Sequence, residues 1–141
     1  TTDSEVSMTE EGRINGDDVH RSIRVTVNRD TRTIDVIQGY NGNVITTQSY
    51  ANNQDAYKAF LQALARTGFG KSRKATVNKV DGVCATGRRY LYNVSENRDP
   101  VSYTWTSECL KGTSPVAIDA VKSLFRNQIT DYDRIANKVK L

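Results

Sequence analysis

Cys84-Ala-Thr-Gly-Arg-Arg-Tyr90-Leu-Tyr-Asn-Val-Ser-Glu-Asn-Arg-Asp-Pro100-Val-Ser-Tyr-Thr-Trp-Thr-Ser-Glu-Cys109 is the stretch whose reading decides the fold. Its centre, between Glu96 and Asn97, falls in the turn-forming run Ser95-Glu96-Asn97-Arg98-Asp99, flanked by β-branched and aromatic residues, so it reads as a β-hairpin. A symmetric register pairs Cys84 with Cys109, Arg88 with Trp105, Tyr90 with Tyr103 and Tyr92 with Val101. Side chains alternate along a strand, so all of these share one face. Arg89, Leu91 and Asn93 share the other face with Ser102, Thr104 and Thr106. Opposed cysteines at the open end of such a hairpin are placed for a disulfide. In the loop-entropy model this contributes roughly 3 kcal/mol, less any strain. The alternative is two reduced cysteines at the hairpin mouth.

Working outward from the hairpin, Ile23, Val25 and Val27 alternate with polar residues, a turn follows at Asn28-Arg29-Asp30-Thr31, and Ile34, Val36 and Gln38 resume the alternation. Asn41-Gly42 is a strong hairpin signal because both central residues of a type I′ turn need positive φ. The strand from Val44 to Tyr50 completes a meander. A helix comes next. Asn52 or Asn53 caps it, Tyr57, Phe60, Leu61 and Leu64 form its apolar stripe, and Gly68 stops it. Ala56, Ala59, Ala63 and Ala65 favour the helix and permit close approach to a sheet. On the far side of the cysteine hairpin, Ser114-Pro115 starts a second helix with Ile118, Val121, Leu124, Phe125 and Ile129 on its buried side. Thr130 is placed to cap a short third helix carrying Tyr132, Ile135 and Val139. The order β-β-β-α-β-β-α predicts an α+β fold, with an antiparallel sheet of about five strands and two helices on one face.

Residues 1–19 contain few large apolar side chains and read as a flexible tail or tether, leaving 20–141 as a single α+β domain. Met8 and Ile14 are the residues able to pin the tail, and His20 at the boundary reads as a surface residue. No apolar run approaches the ~18 residues of a membrane span, so membrane association is expected only through a tether. The chain opens without a charged and then apolar segment, so any export signal is expected to have been removed or never to have existed. A cross-strand cysteine pair favours an oxidising compartment, which makes secretion or tethering to the cell envelope the preferred location.

Candidate chemistry is sparse. Gly70-Lys71-Ser72 is not a phosphate-binding loop, because Ala65 stands where the first glycine belongs and the segment follows a helix. One histidine and two paired cysteines supply no nucleophile–base set, and neither a metal nor a cofactor is expected. The remaining enzymatic route is a hydrolase acting on an envelope polymer through carboxylates such as Asp35, Asp119 or Asp131. The net charge is +4, and acidic residues are frequent before position 20, so the remainder is more basic than the sum. Lys71, Arg73, Lys74 and Lys79 form the densest basic run and are the candidate site for an anionic ligand. The tyrosines of the cysteine hairpin are needed under the helices, which disfavours nucleic acid as a partner. A non-enzymatic binding or scaffolding module, with an anionic envelope polymer or a protein as partner, is the expected function.

The runs Cys84-Ala-Thr-Gly-Arg-Arg-Tyr-Leu-Tyr92, Trp105-Thr-Ser-Glu-Cys109 and Leu124-Phe-Arg-Asn-Gln-Ile-Thr-Asp-Tyr132, with Gln38-Gly-Tyr-Asn-Gly42, resemble a family of uncharacterised bacterial extracytoplasmic domains, many of them lipoproteins. The resemblance covers about residues 22 to 135. It implies an envelope location and a paired-cysteine hairpin, and carries over no catalytic residue.

Overall fold

A computed structural model describes residues 4–12, 16, 19–67, 89–96, 99–107 and 118–139. Six strands, β1 (Ser4–Glu11), β2 (Arg21–Val27), β3 (Thr31–Gln38), β4 (Asn43–Ala51), β5 (Arg89–Glu96) and β6 (Asp99–Ser107), form one antiparallel sheet in the order β4-β3-β2-β1-β5-β6. Among the described residues three helices accompany it: α1 (Gln54–Arg66), α2 (Ile118–Arg126) and α3 (Tyr132–Ala136). The class is therefore α+β, and all five expected strands are present.

The sixth strand corrects the reading of the N-terminus. Residues 4–11, expected in a flexible tail, form β1 near the middle of the sheet, paired on one side with β2 and on the other with β5. Its inward positions are Ser4, Val6, Met8 and Glu10, all buried, and Glu5 faces out to solvent. Alternation was present, but two of the four inward residues are polar. A serine and a glutamate disguised the strand as a solvated segment.

The sheet and helices enclose the core in transverse rows. One row runs Tyr92, Met8, Val25, Ile34, with Gln48 at the edge, and the next runs Tyr90, Glu10, Ile23, Val36, with Thr46 at the edge. Tyr57, Phe60 and Leu64 of α1 pack on them together with Val121 and Phe125 of α2, Ile129, and Tyr132 and Ile135 of α3. Phe60 meets Phe125 edge-to-face at 5.2 Å, a geometry that aromatic quadrupoles favour. Ser4 Oγ and Tyr57 Oη lie 2.7 Å apart, joining the start of β1 to α1.

Local punctuation follows chemistry. Asn28 Oδ1 accepts from the amides of Asp30 and Thr31 at 2.9 and 2.7 Å, which closes the β2–β3 turn. The β3–β4 connection is a four-residue turn, with positive φ at both Gly39 (75°) and Gly42 (74°), longer than the two-residue form expected from Asn41-Gly42. Asn53 caps α1, its Oδ1 accepting from Ala56 N at 2.8 Å, and Thr67 closes the other end through its bonds to the Leu64 carbonyl. Gly68, Ser114 and Pro115 lie outside the described residues. Asp131, not Thr130, precedes α3, and its side chain makes no capping bond.

The hairpin register also differs from the symmetric one. Tyr90 pairs with Thr106, Tyr92 with Thr104, Asn93 with Tyr103 and Leu91 with Trp105, three residues away from the expected pairing of Tyr90 with Tyr103. The strands leave only residues 97 and 98 between them, and an irregularity between Val94 and Ser95 adds a further step. An odd displacement exchanges the faces. Tyr90 and Tyr92 are in the core as expected, but Tyr103 and Trp105 occupy register positions of the opposite parity, and Trp105 pairs with Leu91, not Arg88. The register that set Cys84 opposite Cys109 is thus not the one β5 and β6 adopt, and both cysteines lie outside the described residues.

Candidate functional site

Arg32 falls on the inward parity of β3, with Ile34 and Val36, and pairs in register with Tyr50 of β4. Its guanidinium stands 5.7 Å from the Tyr50 ring centroid. Nε donates to the Ala51 carbonyl at 3.2 Å and Nη1 to the Gln128 carbonyl at 3.0 Å, which ties the end of β4 to the end of α2. These carbonyls orient the fork but do not neutralise it. The nearby carboxylate is engaged elsewhere: Asp131 accepts from Tyr50 Oη at 3.2 Å and pairs with Arg134 at 3.3 Å. Among the described residues Arg32 makes no ion pair.

Beside this guanidinium lies an open groove of about 550 Å³. Its lining comprises Arg32, Ala51, Asn52 and Asn53, one face of α1 (Ala56, Ala59, Phe60, Ala63), and Leu124 and Gln128 from α2 and the turn after it. Ala56, Ala59 and Ala63 recur at helical spacing, and side chains that end at Cβ leave space between helix and sheet. Close packing was expected of these alanines, whereas here they line a groove. The arrangement offers a fixed cation beside an apolar wall, the composition of a site for an anionic group on an apolar body.

A second charged cluster is closed. Glu10, 1% exposed, accepts from Arg126 Nε and Nη2 through Oε1 at 2.9 and 2.6 Å, and from Tyr132 Oη through Oε2 at 3.0 Å. Burial by itself would lower the Arg126 pKa, but the Glu10 and Tyr132 oxygens outweigh it and raise the value. Burial raises that of Tyr132, and the Glu10 charge adds to the effect. Lys122 Nζ donates to Tyr90 Oη at 3.3 Å and stands 4.8 Å from that ring. This network joins β1 to α2 and α3 and leaves Glu10 no opening to a ligand.

The sequence-derived candidates distribute as follows. Lys71, Arg73, Lys74 and Lys79 lie outside the described residues, as do Cys84 and Cys109. Asp35 points to the face away from the helices, where Arg24 Nη2 pairs with it at 3.1 Å and Thr47 Oγ1 donates to it at 2.6 Å. Asp131 sits on the helix side, so the sheet separates two of the three carboxylates proposed for hydrolysis. His20, expected at the surface, is fully buried and stacks on Tyr40 with ring centroids 4.1 Å apart. Its carbonyl accepts from Gly39 N at 2.9 Å, which holds the β3–β4 turn against it. Among the described residues no group of three histidine, cysteine or acidic side chains is placed to hold a metal, and no helix is long and apolar enough to cross a membrane. Arg32 was missed, although its place on the parity of Ile34 and Val36 was a readable sign. No family model matches this chain, and no curated protein matches it either.

Proposed function

We propose that this chain is a non-enzymatic binding module of the cell envelope or extracellular space, and that it takes a carboxylate-bearing ligand with a compact apolar body into the groove beside Arg32. The carrying observation is a guanidinium oriented by two backbone carbonyls, with no ion pair among the described residues, at the mouth of a groove of about 550 Å³. Arginine matches a carboxylate through two parallel N–H donors, while Phe60, Leu124 and the alanines of α1 accept the apolar part. The extracytoplasmic setting is supported by the resemblance to envelope domains. The separation of Asp35 from Asp131 favours binding over carboxylate-based hydrolysis.

The test compares short-chain and aromatic carboxylates with their primary amides by thermal shift, on the wild type and on Arg32→Met. Ligand at a hundred times its Kd stabilises the fold by about 2.7 kcal/mol. A carboxylate is expected to raise the melting temperature while its amide does not, and Arg32→Met should abolish the difference. Equal responses to acid and amide, or an undiminished response in Arg32→Met, would refute the proposal.

A further inference from the structure

The structure points to a second copy of this chain as the partner of the β4 edge, and we propose that the protein self-associates by antiparallel β4–β4 pairing across a twofold axis. β4 terminates the sheet, and its residues are exposed or only partly buried along its whole length. An open edge presents unpaired backbone groups, and proteins ordinarily guard it with charge, proline or a bulge. The opposite edge, β6, begins Asp99-Pro100, which supplies both a charge and a residue without an N–H. β4 has neither. Residues 36 to 54 carry no charged side chain, in a protein 26% charged, so the bare edge lies within the stretch from which charge is missing.

Among the described residues, that stretch also holds three of the four large apolar side chains that stand exposed: Tyr40 at 47%, Val44 at 41% and Ile45 at 46%. Absence of charge favours a like partner. A charged peptide would find no complement on this edge, whereas a second β4 brings no repulsion into the contact despite the net charge of +4 on each copy. Charges elsewhere on the two copies are screened over roughly 8 Å at physiological salt.

The one protective device sets the register. Thr46 pairs with Val36 and Val44 with Ile37, so Ile45 is an extra residue that twists the strand at that point. Regular pairing is left to Thr46–Tyr50, with the twofold axis passing through Gln48, because self-paired antiparallel strands must match residues that share a face. Thr46 then meets Tyr50 of the second copy, Thr47 meets Ser49, and Ile45 lies beside Ala51. Five residues at ~3.3 Å each span about 17 Å, an interface well below the ~1,600 Å² of a standard stable complex. The dimer is therefore concentration-dependent.

Sedimentation equilibrium on the whole chain from micromolar to millimolar concentration, with hydrogen exchange at both ends of the range, tests this. Wild type is expected to pass from monomer to dimer, with exchange slowing in the amides of residues 46 to 50. Ile45→Lys/Thr46→Lys, two exposed positions, should weaken dimerisation at least tenfold and leave the circular dichroism and melting temperature unchanged. A monomer throughout the range, a lysine variant that dimerises as wild type does, or slowed exchange confined to other segments would each overturn the proposal.

Discussion

Replacing Arg126 with methionine removes the cation that compensates Glu10 while preserving most of the apolar stem. Glu10 is 1% exposed and keeps only the Tyr132 hydroxyl, at 3.0 Å, after the change. Breaking a buried ion pair from one side ordinarily costs 3–5 kcal/mol, because the remaining charge is stranded. The Arg126 side chain is 33% exposed, so water can enter where it stood, and the expected loss is at the low end, about 3 kcal/mol. In urea, with a slope of about 1.5 kcal/mol per molar, the unfolding midpoint moves down by roughly 2 M. Converting both residues together, Glu10→Leu with Arg126→Met, removes both charges and should recover most of that loss, since apolar replacement of a whole buried pair is often neutral or better. Urea unfolding followed by far-ultraviolet circular dichroism measures all three proteins. A midpoint shift below about 0.5 M for Arg126→Met, or a double variant less stable than the single one, would show that the network does not hold β1 to the helices as argued.

Two further outcomes are expected. Tyr57, Tyr92 and Tyr132 all have pKa values raised, in each case chiefly by burial. The phenols stay protonated in the fold after the unfolded chain has begun to ionise near pH 10, so their contribution to stability is complete below pH 10 and is lost as pH rises above it. Tyrosinate absorbance and unfolding midpoints measured from pH 8 to 12 check this, and a midpoint that does not fall above pH 10 contradicts it. On the resemblance to envelope domains, Cys84 and Cys109 are expected to form one disulfide, so a thiol reagent under denaturing, non-reducing conditions should label neither; two labelled cysteines would exclude the bond.

Elements whose identity rests on local chemistry were legible in the sequence. Asn28 and Asn53 act at the turn and the cap where side-chain carbonyls are needed. The stripe of Tyr57, Phe60 and Leu64, and that of Val121, Phe125 and Ile129, are buried as their spacing implied. Both signals depend on residues a few positions apart, which a chain carries whatever its remote contacts. β1, the register of β5 with β6, and the Arg32 groove depend on remote partners. Glu10 is inward because Arg126 and Tyr132, more than a hundred residues away, compensate its charge. The hairpin register follows a bulge that no residue type announces, and one odd step exchanges the faces of a strand. The groove exists where the alanine face of α1 meets the ends of β4 and α2, and the same alanines could have served close packing. Sequence patterning determined the strands and helices other than β1, and the apolar faces of β2, β3, α1 and α2. Tertiary structure decided which polar residues could be buried and where space was left, because desolvation and packing are paid by groups brought together only by the fold.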